Sequence, residues 1–576
     1  MPIHNSDVAG IFDKVADFLD IKGENPFRIR AYRNASRTVG SLSKSVSDMA
    51  ARGEDLTRLP GVGQDLAAKI REIVETGKLK MLEGLMSELP EGLDEMMKIP
   101  GLGPKRIKLL FSTRNIRSVD DLRRAAEGKK LRDIPGFGER TEANILEQLR
   151  HIAGTKAAGE RVKIDVAEQV VEPIIGYLKK VKGVKEAIAA GSYRRRLETV
   201  GDLDILITCS AACPIMDKFV AYEDVDKVLA HGATKSSVVL RNGLQVDVRV
   251  VPAESYGAAL LYFTGSKAHN IALRTMAVKK KLKINEYGIF RGAKKLAGLT
   301  EEAVYRRVGL PYIEPELRED RGEIEAAQNG RLPRLVTLKD IRGDLHAHST
   351  STDGHDSIRA MAEAAANLGY EYIAMTDHSR RVTVARGLDA ERTIRQVKAI
   401  ERLNAGLRGI LVLKAIELDI LEDGRLDLPD DVLKELDVIV GSVHYRFNLP
   451  REKQTERIIR AMDNPYFQIL SHPTGRLINE RRPYELDLEK VMRAAKDRGV
   501  AIELNSHPDR LDLDDVHCQT AKEMGLKVAV STDAHRVDDL LHMRFGIGQA
   551  RRGWLEPADV LNTRSWKELR KLLKRK

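Results

Sequence analysis

The chain has 576 residues, more than one hydrophobic core usually serves, so three or more domains are expected. Its 42% hydrophobic and 31% charged content is that of a soluble globular protein; no apolar run is long enough to span a membrane, and the opening MPIHNSDVAG is not a signal peptide. Three cysteines (Cys209, Cys213 and Cys518) exclude a disulfide framework and fit a reducing cytoplasm, with Cys209 and Cys213 read as packing residues.

The net charge of +11 is uneven. Residues 341–576 hold 39 Lys+Arg against 38 Asp+Glu, so the first 340 carry +10. A positive excess there is expected if that part holds a polyanion. Ten of the fourteen histidines lie after residue 340. One part is composed for phosphate backbones and the other for metals.

In the first 150 residues one pattern occurs three times: LPGVG at 59–63, IPGLG at 99–103 and IPGFG at 134–138. Their glycines are Gly61 and Gly63, Gly101 and Gly103, and Gly136 and Gly138. Each leads into a helical pattern, the second through Pro104 and Lys105. A Pro-Gly-x-Gly turn ahead of a helix leaves free N–H groups that can face a phosphate and position DNA without reading bases. These segments resemble helix-hairpin-helix motifs. The third has the poorest positive supply nearby, Glu139 and then Arg140.

Residues 165–181 read as an amphipathic helix, and 185–190 as a strand running into the turn GSYRRR at 191–196. The Gly191–Ser192 turn with Arg194, Arg195 and Arg196 is suited to a polyphosphate. Gly201 follows, then an apolar run with Asp202 and Asp204 at alternate positions. A strand would put both carboxylates on one face. Such a pair repels unless a cation sits between them, and hard oxygen ligands suit Mg²⁺ or Mn²⁺. LQVDVRVV at 244–251 is a second alternating strand, with Asp247 on the face of Gln245 and Arg249.

With LYFTGSKAHN at 261–270, these segments resemble the family X DNA polymerases over residues ~10–315. The resemblance implies a two-metal site in which Asp202 and Asp204 bridge both ions and Asp247 binds the ion on the primer-hydroxyl side. It puts Gly191, Ser192, Arg195 and Gly201 on the triphosphate. Tyr262, Phe263 and Gly265 would lie at the incoming sugar, Asn270 at the incoming base and Arg274 at the template. AYRNAS at 31–36 extends the resemblance to the family's lyase-like N-terminal domain. There Lys69 takes the place of the Schiff-base lysine, although Met81 and Asp65 stand where some members carry lysines. Gln245 replaces an arginine that some members have near the third aspartate.

After a polar, irregular linker, apolar runs alternate with helical patterns, and the runs end in metal-binding residue types. In order these are His346, His348 and Asp353; His378; Glu417; His444; His472; then a run at 500–507 with no clear ligand; and Asp533 with His535. A ligand at the end of successive strands separated by helices is the layout of an α/β barrel with its site on one rim. Mixed imidazole and carboxylate donors suit Zn²⁺, Mn²⁺ or Fe²⁺, and nine could hold three ions. HAHSTSTDG, TDH, GSVH, SHP and TDAH resemble the polymerase and histidinol phosphatase (PHP) domain, a metal-dependent phosphoesterase on a distorted seven-strand barrel. That implies 3′–5′ exonuclease or related 3′-end cleaning, with cleavage at abasic sites left open. His507, His517 and His542 fall outside these motifs.

The expected fold is multidomain. A helix-hairpin-helix lyase-like domain spans 1–85 and a second helix-hairpin-helix subdomain 86–155. An α/β nucleotidyltransferase palm spans 156–255, a nucleotide-selection subdomain 256–317, a linker 318–338 and a PHP barrel 339–576. The expected partners are gapped or nicked duplex DNA and dNTPs, handled by a cytoplasmic, nucleoid-associated monomer acting in base excision or break repair. Two other readings use the same features: a repair nuclease whose polymerase core mainly binds DNA, and a DNA end-binding scaffold with structural metals.

Overall fold

The structure is a computed structural model that describes every residue except 1, 2, 4, 41, 43, 91, 98, 100, 101, 135, 136, 139, 140, 143, 144, 147, 148, 150–160, 211, 212 and 574–576. Gly101 and Gly136, both expected at hairpin turns, lie outside the described residues. The chain forms two compact units, 1–160 and 161–576.

The first unit is helical. Helices Asn5–Lys22 and Pro26–Gly40 enclose one core with Gln64–Thr76, Lys80–Glu88 and Pro104–Arg114. Phe12 and Tyr32 meet edge to face there, with ring centroids 5.6 Å apart. The three repeats close alike: Val62, Leu102 and Phe137 each donate a backbone N–H to the carbonyl three residues earlier. Gly61 takes a φ of +75°, which favours glycine.

The second unit begins with the palm. Strands β1 (Val184–Ala189), β2 (Asp202–Cys209), β3 (Val225–His231), β4 (Lys235–Leu240) and β5 (Gln245–Val250) form one sheet in the order β1-β2-β5-β4-β3. Only the central pair, β2 and β5, is parallel. Leu203, Ile205 and Ile207 alternate with the acidic positions and pack with Val246 and Val248 under helix Ile164–Lys179. The run carrying YFTGS forms helix Tyr256–Thr264, and helices Lys267–Lys279 and Glu301–Val308 pack beside it around a three-stranded sheet of residues 283–297.

The segment expected as an irregular linker is better ordered than its polarity suggests. It contains helix Glu323–Gln328, and Arg318 and Glu323 are fully buried. Arg318 pairs with Glu301 at 2.6 Å, while Glu323 receives His269 at 2.6 Å and the backbone N–H groups of Asp320 and Arg321. Charges that satisfy one another can be buried, so polarity alone misreads such a stretch.

Seven parallel strands follow: β6 (Gly343–Ala347), β7 (Tyr372–Met375), β8 (Leu411–Asp419), β9 (Val438–Ser442), β10 (Ile469–Leu470), β11 (Ala501–Asn505) and β12 (Val528–Ser531). They pair in chain order, and a bridge between Ala347 and Ala534 brings the last strand back to the first. One set of strand residues, including Leu345, Leu413, Val440, Ile469 and Ala529, clusters with Leu569 and Leu573 of the last helix. The alternate set, including Ile373, Val412, Leu470, Ile502 and Val530, packs against the surrounding helices. Ile478, Leu511 and Phe545 leave the barrel to join the palm's core.

Gly441 of β9 shows how tightly the barrel is filled. A Cβ there would lie 2.0 Å from the ring of Phe467, which is fully buried. Gly441→Ala is therefore expected to destabilise the barrel by about 1–3 kcal/mol through overpacking. Denaturant unfolding of the full chain, followed at the barrel's transition, measures this, and an unchanged midpoint would contradict it.

Candidate active sites

In the palm the parallel register sets Asp202 opposite Gln245 and Asp204 opposite Asp247. Burial raises the Asp204 carboxyl to about 6, and the neighbouring Asp202 and Asp247 push the same way. Asp247 goes down: burial opposes this, but Lys235 lies 2.9 Å from Oδ2 and Gln245 donates to Oδ1 at 2.9 Å. Gln245 thus keeps a donor on the third aspartate without adding a charge. Oxygen donors that repel one another suit a hard divalent cation such as Mg²⁺ or Mn²⁺.

The Gly191 turn touches this group directly. Gly191 opens the one-turn helix Gly191–Arg194 at φ +60°, and a Cβ there would come 2.9 Å from Asp204 Oδ2. The Ser192 hydroxyl oxygen is buried without a hydrogen-bond partner among the described residues, as a triphosphate-facing donor would be. Arg195 donates to Glu319 at 3.0 Å and to the Thr264 carbonyl. Gly265 has φ +69°, and a Cβ there would lie 3.2 Å from the Arg195 guanidinium. Tyr262 and Phe263 meet edge to face at 5.1 Å, and Arg249 lies over the Phe263 ring. Asn270 donates to the Tyr262 carbonyl at 2.7 Å, and Arg274 donates to the Asn270 carbonyl. Sequence reasoning missed Arg161. It bonds Thr199 at 2.9 Å and would lie 3.2 Å from a Cβ at Gly201, beside Asp202. Arg161 directly precedes the short strand Val162–Lys163, whose pairing with Thr199–Val200 is visible only in the structure.

At the barrel rim all nine expected residues converge. Three groups place their donor atoms within 4.8 Å of one another: His348, Asp353, His378 and His535; His346, His348 and Asp533; and His378, Glu417 and His444. His472 joins through Glu417, its Nε2 2.9 Å from Oε1. Burial opposes charge everywhere here, but Glu503, Asp533 and Glu417 hold His346 well above the usual imidazole range. His348 is pushed down to about 3 by burial and by the His535 and His378 rings. Burial also opposes ionisation of Glu417, yet His378, His444 and His346 hold it well below the usual carboxylate range. His472 and Asp533 sit at φ +24° and +55°, conformations that side chains rarely adopt and that sites preserve. The mixed donors fit a cluster of Mn²⁺, Zn²⁺ or Fe²⁺.

A second ring of buried carboxylates orients these side chains. Glu503, from the run in which no ligand was recognised, accepts from His346 Nδ1 at 2.7 Å, from Ser471 Oγ at 2.8 Å and from the His472 N–H at 2.7 Å. Asp344 accepts from the His346 N–H, Asp377 from Ser349, Thr352 and Gln396, and Asp419 lies 3.5 Å from His444 Nδ1. Such partners fix tautomer and direction. Glu503 and Asp344 lie inside strands β11 and β6, Asp377 just past the end of β7, and Asp419 at the end of β8 two residues after Glu417.

In the helical unit, Gly63 and Gly103 cap helices Gln64–Thr76 and Pro104–Arg114 without any side-chain cap bond. A Cβ at Gly63, Gly103 or Gly138 would meet open space, so this backbone is accessible, and Lys105 is exposed beside it. Lys69 is mostly buried, ion-paired with Asp65 and close to Tyr32, whose hydroxyl donates to Met81 Sδ at 3.0 Å.

Models for a helix-hairpin-helix domain match residues 3–79, for a SAM-like helix-hairpin-helix tandem 93–151, for a DNA polymerase beta thumb 259–319 and for a PHP domain 344–507. Over the full length of both chains, 577 aligned residues, the protein is 38% identical to the DNA polymerase/3′-5′ exonuclease PolX of Bacillus subtilis (strain 168). The chain belongs to the family X DNA polymerases. It is of the form that carries a C-terminal PHP domain. Rat DNA polymerase lambda is 26% identical over 346 residues, 55% of this chain and 56% of its own. A probable phosphatase of Thermoanaerobacter sp. (strain X514) is 33% identical over 232 residues, 38% of this chain and 89% of its own.

The raised Asp204 carboxyl has a consequence for metal binding in this family X palm. Below about pH 6 Asp204 holds a proton, which a cation bound there would have to displace. The Mg²⁺ concentration giving half-maximal primer extension is therefore expected to rise as pH falls below 6, by up to about tenfold per unit. A requirement independent of pH between 5 and 7 would contradict it.

Proposed function

We propose that this family X member is a two-site repair enzyme. The palm fills short gaps in DNA, and the PHP cluster removes 3′ ends. The observation that carries the first half is Asp204 lying in register with Asp247 and in contact with the Gly191 turn. Asp202, Asp204 and Asp247 would hold Mg²⁺ or Mn²⁺, which when bound activates the primer 3′-hydroxyl and neutralises the triphosphate. Ser192, Arg195 and Arg161 bind the triphosphate, and Gly191 and Gly201 let it approach the backbone. Tyr262 and Phe263 crowd a ribose 2′-hydroxyl, Gly265 turns the chain there, and Asn270 and Arg274 face the base pair.

The second half rests on the convergence of nine ligands with a satisfied outer ring. Together they would hold up to three ions of Mn²⁺, Zn²⁺ or Fe²⁺, which when bound supply a hydroxide and neutralise the phosphodiester. Glu503, Asp344, Asp377 and Asp419 keep the ligands directed inward. The substrate is DNA rather than a small phosphate ester, because the first 340 residues carry +10 and present open helix N-termini after Gly63 and Gly103. The domain boundaries are those given above, and the setting is base excision or break repair in the cytoplasm.

Asp202→Ala/Asp204→Ala is expected to abolish extension of a gapped primer while leaving Mn²⁺-dependent 3′ digestion intact. His346→Ala/His348→Ala should do the reverse. Extension surviving the first pair, or digestion surviving the second, rejects the corresponding half.

Lys69 lies close enough to Tyr32 and Asp65 for its amine to be held in place for Schiff-base chemistry at a 5′ abasic end. Borohydride trapping on such an end is expected for the native chain and not for Lys69→Ala; trapping retained in the variant rejects the role.

A further inference from the structure

The loop after β11, residues 506–513, belongs to the barrel but is gripped by the palm. Palm Lys163 pairs with Asp509 at 2.6 Å and with Glu480 at 2.7 Å. Arg476 is pinned to palm Glu198 at 2.6 Å and donates to the carbonyls of Arg510, at 2.9 Å, and Leu511. Leu511 itself, at φ +39°, is buried in the palm's core cluster. The backbone on both sides of Arg510 is therefore set by the polymerase half of the chain.

The Arg510 side chain points to the metal cluster. Its Nε lies 3.4 Å from Asp533 Oδ2, and the side chain is 21% exposed. Asn505 already donates to the same Asp533 oxygen at 3.0 Å, so Asp533 does not depend on Arg510 for a partner. A guanidinium has five donors in a planar fork. Among the described residues those of Arg510 have Asp533 as their one ion-pair partner. A cation beside a cluster built for cations is costly unless an anion arrives with the ions. A bidentate fork matches the geometry of a phosphate.

We propose that Arg510 grips the phosphate of the 3′-terminal nucleotide at the PHP cluster, and that the palm sets its position through Glu198 and Arg476. This rests on the nuclease reading of the cluster. The polymerase core would then be part of the nuclease: without Glu198, Arg476, which holds the carbonyls of Arg510 and Leu511, loses its partner in the palm.

The test uses the full chain loaded with Mn²⁺, digesting a 5′-labelled single-stranded oligonucleotide, with bound metal per chain and melting temperature measured beside it. Arg510→Ala is expected to keep both at the native level while KM rises about 10- to 100-fold, the loss of a charge-assisted bond. Arg510→Lys should recover part of this as a point charge. Glu198→Gln should raise KM in the same direction by less, and add nothing to Arg510→Ala in the double variant. An unchanged KM in Arg510→Ala, or a loss of bound metal, overturns the phosphate role. A KM unchanged by Glu198→Gln overturns the part assigned to the palm. A native chain that digests nothing overturns the nuclease reading and this proposal with it.

Discussion

Both sites gather carboxylates, the palm's ranging from exposed Asp202 to buried Asp247 and most of the barrel's buried, and they handle the resulting charge in opposite ways. In the palm the acids are left facing each other. The Asp204 carboxyl rises because burial, Asp202 and Asp247 all oppose its ionisation, and only Arg249 and Lys235 offset them. In the barrel Glu417 is surrounded by His346, His378 and His444, and Asp533 by His346, His348 and His535. Opposite charges there compensate one another, so the ligand shell is held ready by its own interactions.

The backbone makes each arrangement possible. Parallel pairing of β2 with β5 is the one register that brings Asp204 across from Asp247 while Leu203 and Val246 stay in the core. A slip of one residue would bury the acids and expose the core face. In the barrel, every strand but β11 leads to expected ligands at a common rim, and the carboxylates of Glu503 and Asp344 hold His346 from both ring and backbone.

Period and position made much of this readable in the amino-acid sequence. Asp202 and Asp204 two apart, and histidines at the ends of apolar runs, follow from strand geometry alone. Glu503 did not stand out, because an acid inside an apolar strand reads the same whether it binds a metal or a histidine. Arg161 and Arg510 were equally unreadable, since their roles come from where Gly201 and Asp533 lie in space. The stretch around Arg318 and Glu323, expected as a polar, irregular linker, is partly buried because pairing hides charges that composition counts as solvated. The hairpin glycines Gly101 and Gly136 remain expectations from the repeat.

The joint between palm and barrel follows from the same rule about buried charge. Arg552 of the barrel donates to Glu319 at 2.9 Å, to Asp515 at 2.7 Å and to the carbonyl of Arg195 at 3.0 Å, and Arg321 shares Asp515. Arg544 reaches palm Glu168, and Gly548 leaves room for the Arg196 side chain. Pairs like these return little net stability, because desolvation consumes most of the attraction. Their value is directional: a guanidinium with three fixed acceptors tolerates few relative positions of the parts it joins. Apolar packing through Phe545, Ile478 and Leu511 supplies adhesion, and the arginines supply register. The turn that carries Arg195 is thereby held from the barrel side, and the loop that carries Arg510 is held from the palm side. Each half of the chain thus shapes an arginine-bearing loop of the other, which a polymerase and a nuclease joined by a free linker could not do.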